Sequence, residues 1–208
     1  MRSLSKKHIG FMGIDGAGKT TQSNFLTSWL RKNDINTIKY EESRNFVSEI
    51  SYAIAHKNGY HSGSEFIGED NYIIAMSFEL LRRSKIDIDP YKDLGASIVT
   101  SRTCLDWLAG SYARRATQES LELSKSIMLP GALPDIIIWI NVKASVATQR
   151  IKNRGYDFNS MDYLEKFDRA LNGFTDLCNP IIIDGNRDVL HVHKEIITKL
   201  AEINEKGD

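Results

Sequence analysis

The chain has 208 residues, 41% of them hydrophobic and 26% charged, enough apolar content for a buried core within the size range of one domain. Lys plus Arg and Asp plus Glu both number 27, so the formal net charge is zero. That balance disfavours a protein built to coat polymeric nucleic acid or to lie on an anionic membrane.

The two cysteines, Cys104 and Cys178, stand in no CxxC or Cys/His metal spacing. No run approaches the ~20 apolar residues of a spanning helix, and the basic N-terminal segment reaches Asp15 too soon to read as a signal peptide. The expectation is therefore a reduced, cytoplasmic protein with no membrane segment.

Short β-like runs alternate with longer helical stretches, the pattern of a doubly wound α/β sheet. The run 8–14 predicts a first strand. Residues 20–31 predict a helix, with Phe25, Leu26, Trp29 and Leu30 at helical spacing. Between them lies GIDGAGKT, residues 13–20, a complete G-x-x-x-x-G-K-[ST] loop in the strand-to-helix position its mechanism requires. Its glycines let successive backbone N–H groups point inward at phosphate oxygens, and the helix N-terminus adds partial positive charge. Lys19 is placed to reach the β- and γ-phosphates and the Thr20 hydroxyl to ligate Mg²⁺. The nucleotide-binding set is Gly13, Asp15, Gly16, Ala17, Gly18, Lys19, Thr20 and Thr21, with ATP and Mg²⁺ as cofactors.

Further along, 36–41 reads as a second strand, Phe46–Lys57 as a helix and 65–83 as one long helix. Residues 96–100 (ASIVT) predict a third strand buried on both faces, 136–142 (IIIWINV) a fourth and 180–183 a fifth. Helices are expected at 105–113, 145–152, 161–177 and 189–205. No guanine-reading N-K-x-D is present, so the loop does not announce a GTPase. His191 and His193 read as surface positions on the last helix.

Taken with the segments that follow the loop, the sequence resembles the thymidylate kinases, a branch of the nucleoside monophosphate kinases. The likeness rests on GIDGAGKTTQ (13–22), LPDIIIWINV (133–142), ATQRIKNRG (147–155) and Phe167-Asp168-Arg169 ahead of Phe174. The resemblance implies a P-loop three-layer α/β/α fold with a five-stranded parallel sheet in the order 2-3-1-4-5 and a helical lid at about 149–160. It also implies a homodimer, and transfer of the γ-phosphate of ATP to a small phosphorylated acceptor, dTMP by default. Arg102 resembles the arginine that grips the acceptor phosphate, a task suited to a planar, permanently charged group. Asp15 resembles the loop carboxylate at the acceptor sugar, and Glu41 and Glu42 occupy the region of a family glutamate near the acceptor. Some members carry an arginine at the loop position that is Gly16 here. Its absence implies that the lid supplies the charge, through Arg150 and Arg154, four residues apart on one helical face.

Three positions depart from the family pattern. The third strand ends Ser101-Arg102 where an Asp-Arg is usual, and that Asp helps organise Mg²⁺ and its waters. The base-reading arginine falls near Leu80, with Arg82 and Arg83 within a turn, and the stacking aromatic near Met76. The usual Tyr-Gln is replaced around Gly110-Ser111, with Tyr112 close by. All three lie on the acceptor side, which leaves open a kinase of the same fold acting on a different nucleotide or specialised metabolite. A nucleotide-binding module with little catalysis is a further alternative suggested by Ser101.

Overall fold

The computed structural model describes residues 4–40, 46–155 and 159–206. Five parallel strands form one sheet in the order β2-β3-β1-β4-β5. They are β1 (His8–Met12), β2 (Thr37–Tyr40), β3 (Ser97–Thr100), β4 (Ile136–Asn141) and β5 (Ile181–Asp184). Parallel neighbours need long crossovers, and helices supply them. After β1 comes α1 (Lys19–Lys32). After β2 come α2 (Phe46–Lys57), α3 (Gly63–Ile67), α4 (Glu69–Arg83), a π turn at Ser84–Ile88 and the short α5 (Asp89–Asp93). After β3 come α6 (Cys104–Ala113) and α7 (Gln118–Ala132). Helices α8 (Ala144–Arg154), α9 (Met161–Asn172) and α10 (Thr175–Cys178) link β4 to β5, and α11 (Val189–Lys206) closes the order.

The two central strands are buried along nearly their whole length, as their unbroken apolar runs require. Ile9 of β1 sits between Val99 and Ile136, so the strand is covered at both edges and both faces. Strand β3 is likewise buried at every residue. Phe11, Trp139 and Phe167 are the largest side chains in this core. Removing such a ring from a close-packed interior costs ~3–5 kcal/mol.

Several boundaries differ from the sequence expectation. Strand β1 ends at Met12, because Gly13 turns the chain into the loop. The single helix expected over 65–83 is two, broken at Gly68, whose φ of 84° no helix interior accommodates. The helix expected over 161–177 likewise breaks at Gly173-Phe174. Helix α7 was not expected at all; it carries Pro130 in its last turn, where little helix follows the hydrogen bond that proline removes. His193 is half-buried, its ring edge-on to Phe25, and not a plain surface residue. No helix among the described residues is long and apolar enough to cross a membrane.

Candidate functional site

All five strands point the same way, so the segments leaving β1, β3, β4 and β5 converge at one edge of the sheet, where open α/β folds place their ligands. The loop leaving β1 closes with a hydrogen bond from Ala17 N–H to Ile14 O at 3.2 Å, and α1 begins at Lys19. Gly16 is held at φ 85°, and a Cβ there would meet the backbone oxygen of Ala147 in α8 at 2.6 Å. The loop is thus packed directly on the first turn of α8.

Lys19 curls beneath its own loop. Its ammonium donates to Gly13 O and, at 3.1 Å, to Ile14 O, and stands 3.4 Å from Asp106 Oδ1. Both side chains are buried, 6% and 1% exposed. Burial lowers the Lys19 pKa, and the Asp106 carboxylate opposes that shift. Asp106 is a functional residue that sequence reasoning missed. Its Oδ1 also accepts the Gly13 N–H at 3.2 Å, while Oδ2 accepts the Thr103 N–H and hydroxyl, both at 2.8 Å. The signal was legible: Thr103-Cys-Leu-Asp106 is a capping box at the start of α6. What no spacing revealed is that the same carboxylate reaches a loop 93 residues earlier in the chain.

On the acceptor side Arg102 Nη2 donates to Asp15 Oδ1 at 3.0 Å, and Asn159 Nδ2 donates to Asp15 Oδ2 at 3.3 Å. Burial raises the Asp15 pKa, but Arg102 and then Lys19 outweigh it and hold the group below its ordinary value. Thr20 and Arg102 line one cavity of about 280 Å³ with the loop and Arg154. Ser101 is buried. Leu80 is buried and lines a small cavity with Tyr40, Arg83 and Thr103. Arg83 shares that cavity, donating to the Tyr40 hydroxyl at 2.9 Å with its guanidinium 4.8 Å over the ring. Arg82 turns outward to Glu79 and Asp87. Tyr112 lines a different cavity, beside Leu108 and Phe174, and does not stand in for the aromatic missing at Gly110. Glu41 and Glu42, expected beside the acceptor, lie outside the described residues, as do residues 156–158 of the lid.

Arg150 and Arg154 of α8 are not equivalent. Arg150 donates to Ala17 O at 3.4 Å and Gly185 O at 2.9 Å, clasping the loop to the turn after β5. It faces a second cavity of about 300 Å³ formed with Thr21, Gln22, Arg187 and Val189. Arg154 lines both cavities and is the more exposed of the two. The loop therefore lies between two adjoining cavities, one walled by Arg102 and Asp15 and the other by α11, with Arg154 at their boundary.

The family model for thymidylate kinase matches residues 11–196. Among curated proteins, the chain is 25% identical over 207 residues to a thymidylate kinase of Fervidobacterium nodosum, covering 91% of this chain and 95% of that protein. It is 28% identical over 209 residues to a thymidylate kinase of Francisella tularensis subsp. novicida, covering 93% and 94%. A thymidylate kinase of Thermoanaerobacter sp. is 28% identical over 202 residues, covering 93% and 97%.

Proposed function

This chain belongs to the thymidylate kinase family, and from that premise we propose that it transfers the γ-phosphate of ATP to a nucleoside monophosphate, dTMP, giving dTDP. The observation that carries the reading is the shared cavity: the phosphate loop, Thr20, Arg102 and Arg154 face one space. A phosphoryl group passing between two bound phosphates needs cations on every side, because its charge spreads over the transferring oxygens. Arg102 is the acceptor-phosphate clamp, Lys19 the donor-phosphate contact and Arg154 the charge at the boundary. The α11-side cavity takes the rest of ATP.

The residues present fit Mg²⁺ as this chemistry uses it. Thr20 offers an exposed hydroxyl at the loop as its ligand, with Ser101 offering a neutral hydroxyl where the resemblance expects an acid. Bound there, it would neutralise phosphate charge. We place the enzyme in the cytoplasm, where ATP is abundant, and as a homodimer. In support of pairing, α2 exposes Phe46, Ile50 and Ile54 on successive turns and α4 exposes Phe78. Light scattering tests the dimer: a mass near that of one chain would refute it.

A second reading changes only the acceptor's base. Leu80 lines a small cavity and Met76 lies wholly within the core, at the positions where the resemblance expects base reading and stacking, and a hydrocarbon wall rejects a wrong polar edge poorly. One experiment addresses both: labelled ATP with a panel of nucleoside monophosphates, on the wild type and on Arg102→Ala. The variant should raise the acceptor KM while leaving the ATP KM unchanged. Loss of a charged hydrogen-bonded contact costs ~2–4 kcal/mol, roughly 30- to 1,000-fold. An equal effect on both substrates would remove Arg102 from the acceptor site.

A further inference from the structure

Helix α6 passes residues 110 and 111 without a bulky side chain. A Cβ on Gly110 would lie 3.2 Å from Phe167 Cε2, 3.3 Å from Arg114 Nη2 and 3.4 Å from the Tyr163 hydroxyl. The wall over Gly110 is therefore made by Arg114, one turn further along, together with the α9 aromatics. Arg114 Nε donates to Glu69 Oε2 at 3.0 Å and its Nη1 to the Tyr163 hydroxyl at 3.0 Å. The Ser111 hydroxyl donates to the other Glu69 oxygen. Nη2 of Arg114 has no hydrogen-bond partner among the described residues.

We infer that Arg114 is a specificity-determining residue: its Nη2 donates to an oxygen on the nucleoside part of the acceptor, beyond the phosphate held by Arg102. This rests on the kinase reading above. The start of α9 joins the two positions: Asn159 donates to Asp15, which Arg102 also holds, and Tyr163, one turn into that helix, accepts from Arg114 on Glu69. Because Glu69 neutralises the guanidinium, the contact acts by direction and not by net charge. A fixed N–H donates to an oxygen opposite it and penalises an amino group.

The group is also preorganised. Asp70 Oδ1 accepts the Thr117 N–H at 2.7 Å, the Thr117 hydroxyl at 3.0 Å and the Ser120 hydroxyl at 2.6 Å. The N-terminus of α4 thus holds both the arginine and the chain that follows it, which leaves the donor little freedom.

The same contacts would also serve a purely structural tie between α4, α6 and α9, and the test must separate the two. The full chain and Arg114→Met are compared for kcat/KM on dTMP, dUMP, dCMP and UMP, for the KM of ATP and for Tm. The dUMP/dCMP ratio isolates a base carbonyl against an amino group, and the UMP/dUMP ratio isolates a sugar hydroxyl. Expected is a loss of about 10- to 100-fold on the preferred acceptor, an unchanged ATP KM, and a change of about tenfold or more in one of the two ratios. The ratio that moves identifies the oxygen as base or sugar. Tyr163→Phe, which removes only the anchor of Nη1, should shift the same ratio part of the way. If Arg114→Met does not fold, Arg114→Lys is judged by the same ratios. Both ratios staying within about threefold of wild type, whatever happens to Tm, overturns the assignment. Wild-type inactivity on all four acceptors overturns the reading of a pyrimidine nucleotide acceptor and this inference with it.

Discussion

Replacing Asp106 by Ala removes the one carboxylate that binds the phosphate loop to the start of α6. The variant leaves the Lys19 ammonium buried without its counter-charge, and the Gly13 and Thr103 N–H groups without their acceptors. Breaking a buried pair from one side costs ~3–5 kcal/mol. Lys19 keeps two carbonyl partners, Gly13 O and Ile14 O, so the lower end applies, about 3 kcal/mol. For a chain of this size each kcal/mol moves Tm by roughly 2–4 °C, so the fall should be about 6–12 °C, read by ligand-free calorimetry or circular dichroism. A companion variant sharpens the test. Lys19→Met in the Asp106→Ala background removes both charges together, and its Tm loss should be well below the sum of the single losses. A Tm within about 2 °C of wild type for Asp106→Ala, or strict additivity in the double variant, would refute the claim that this pair is a buried, coupled unit.

Lys19→Ala should remove about 10²- to 10³-fold or more of phosphoryl transfer in a coupled assay run well below its lowered Tm, and retention of more than about a tenth would move the chemistry away from the loop. Arg154→Ala should lower kcat more than it raises the ATP KM, whereas Arg150→Ala, whose contacts are to Ala17 O and Gly185 O, should chiefly raise the ATP KM; the reverse pattern would exchange their roles. The pH profile of stability should carry the mark of His8, buried against Thr100 at 3.0 Å, whose pKa is lowered to about 4 chiefly by burial. Between about 4 and 6.5 the unfolded chain binds a proton that the native ring refuses. Stability therefore rises with pH across that window, by about 3 kcal/mol in all, and is flat above it as far as this group is concerned. His8→Asn should flatten that slope in urea titrations taken at a series of pH values. An unchanged slope would assign it to other groups.

Much of the architecture was legible in the sequence because the signals were local. The strand–loop–helix run from His8 to Lys32 carries its own periodicity and glycines, and the apolar runs of β3 and β4 leave no polar face for solvent. What escaped was set by single residues or by distance. Gly68 breaks a helix whose apolar spacing continues through it, and α7, which carries Pro130 in its last turn, was not read as a helix. At the site, the loop residues announced themselves, but their partners did not. Asp106 and Asn159 reach Lys19 and Asp15 only through the fold, and nothing in the spacing of Glu69, Arg114 and Tyr163 sets them side by side. Long-range ion pairs have no period to read.

The contact between Gly16 and the backbone of Ala147 restricts the routes by which this enzyme can change. An arginine at position 16 would deliver positive charge from the loop itself. Here that exchange is blocked twice, by a left-handed backbone and by a carbonyl oxygen 2.6 Å from where the first side-chain carbon would go. A backbone oxygen, unlike the tip of a flexible side chain, cannot step aside alone. An arginine at position 16 would have to arrive together with a displacement of α8, and α8 is the helix that bears Arg150 and Arg154. An arginine at position 16 and the present placement of α8 thus exclude one another in this geometry.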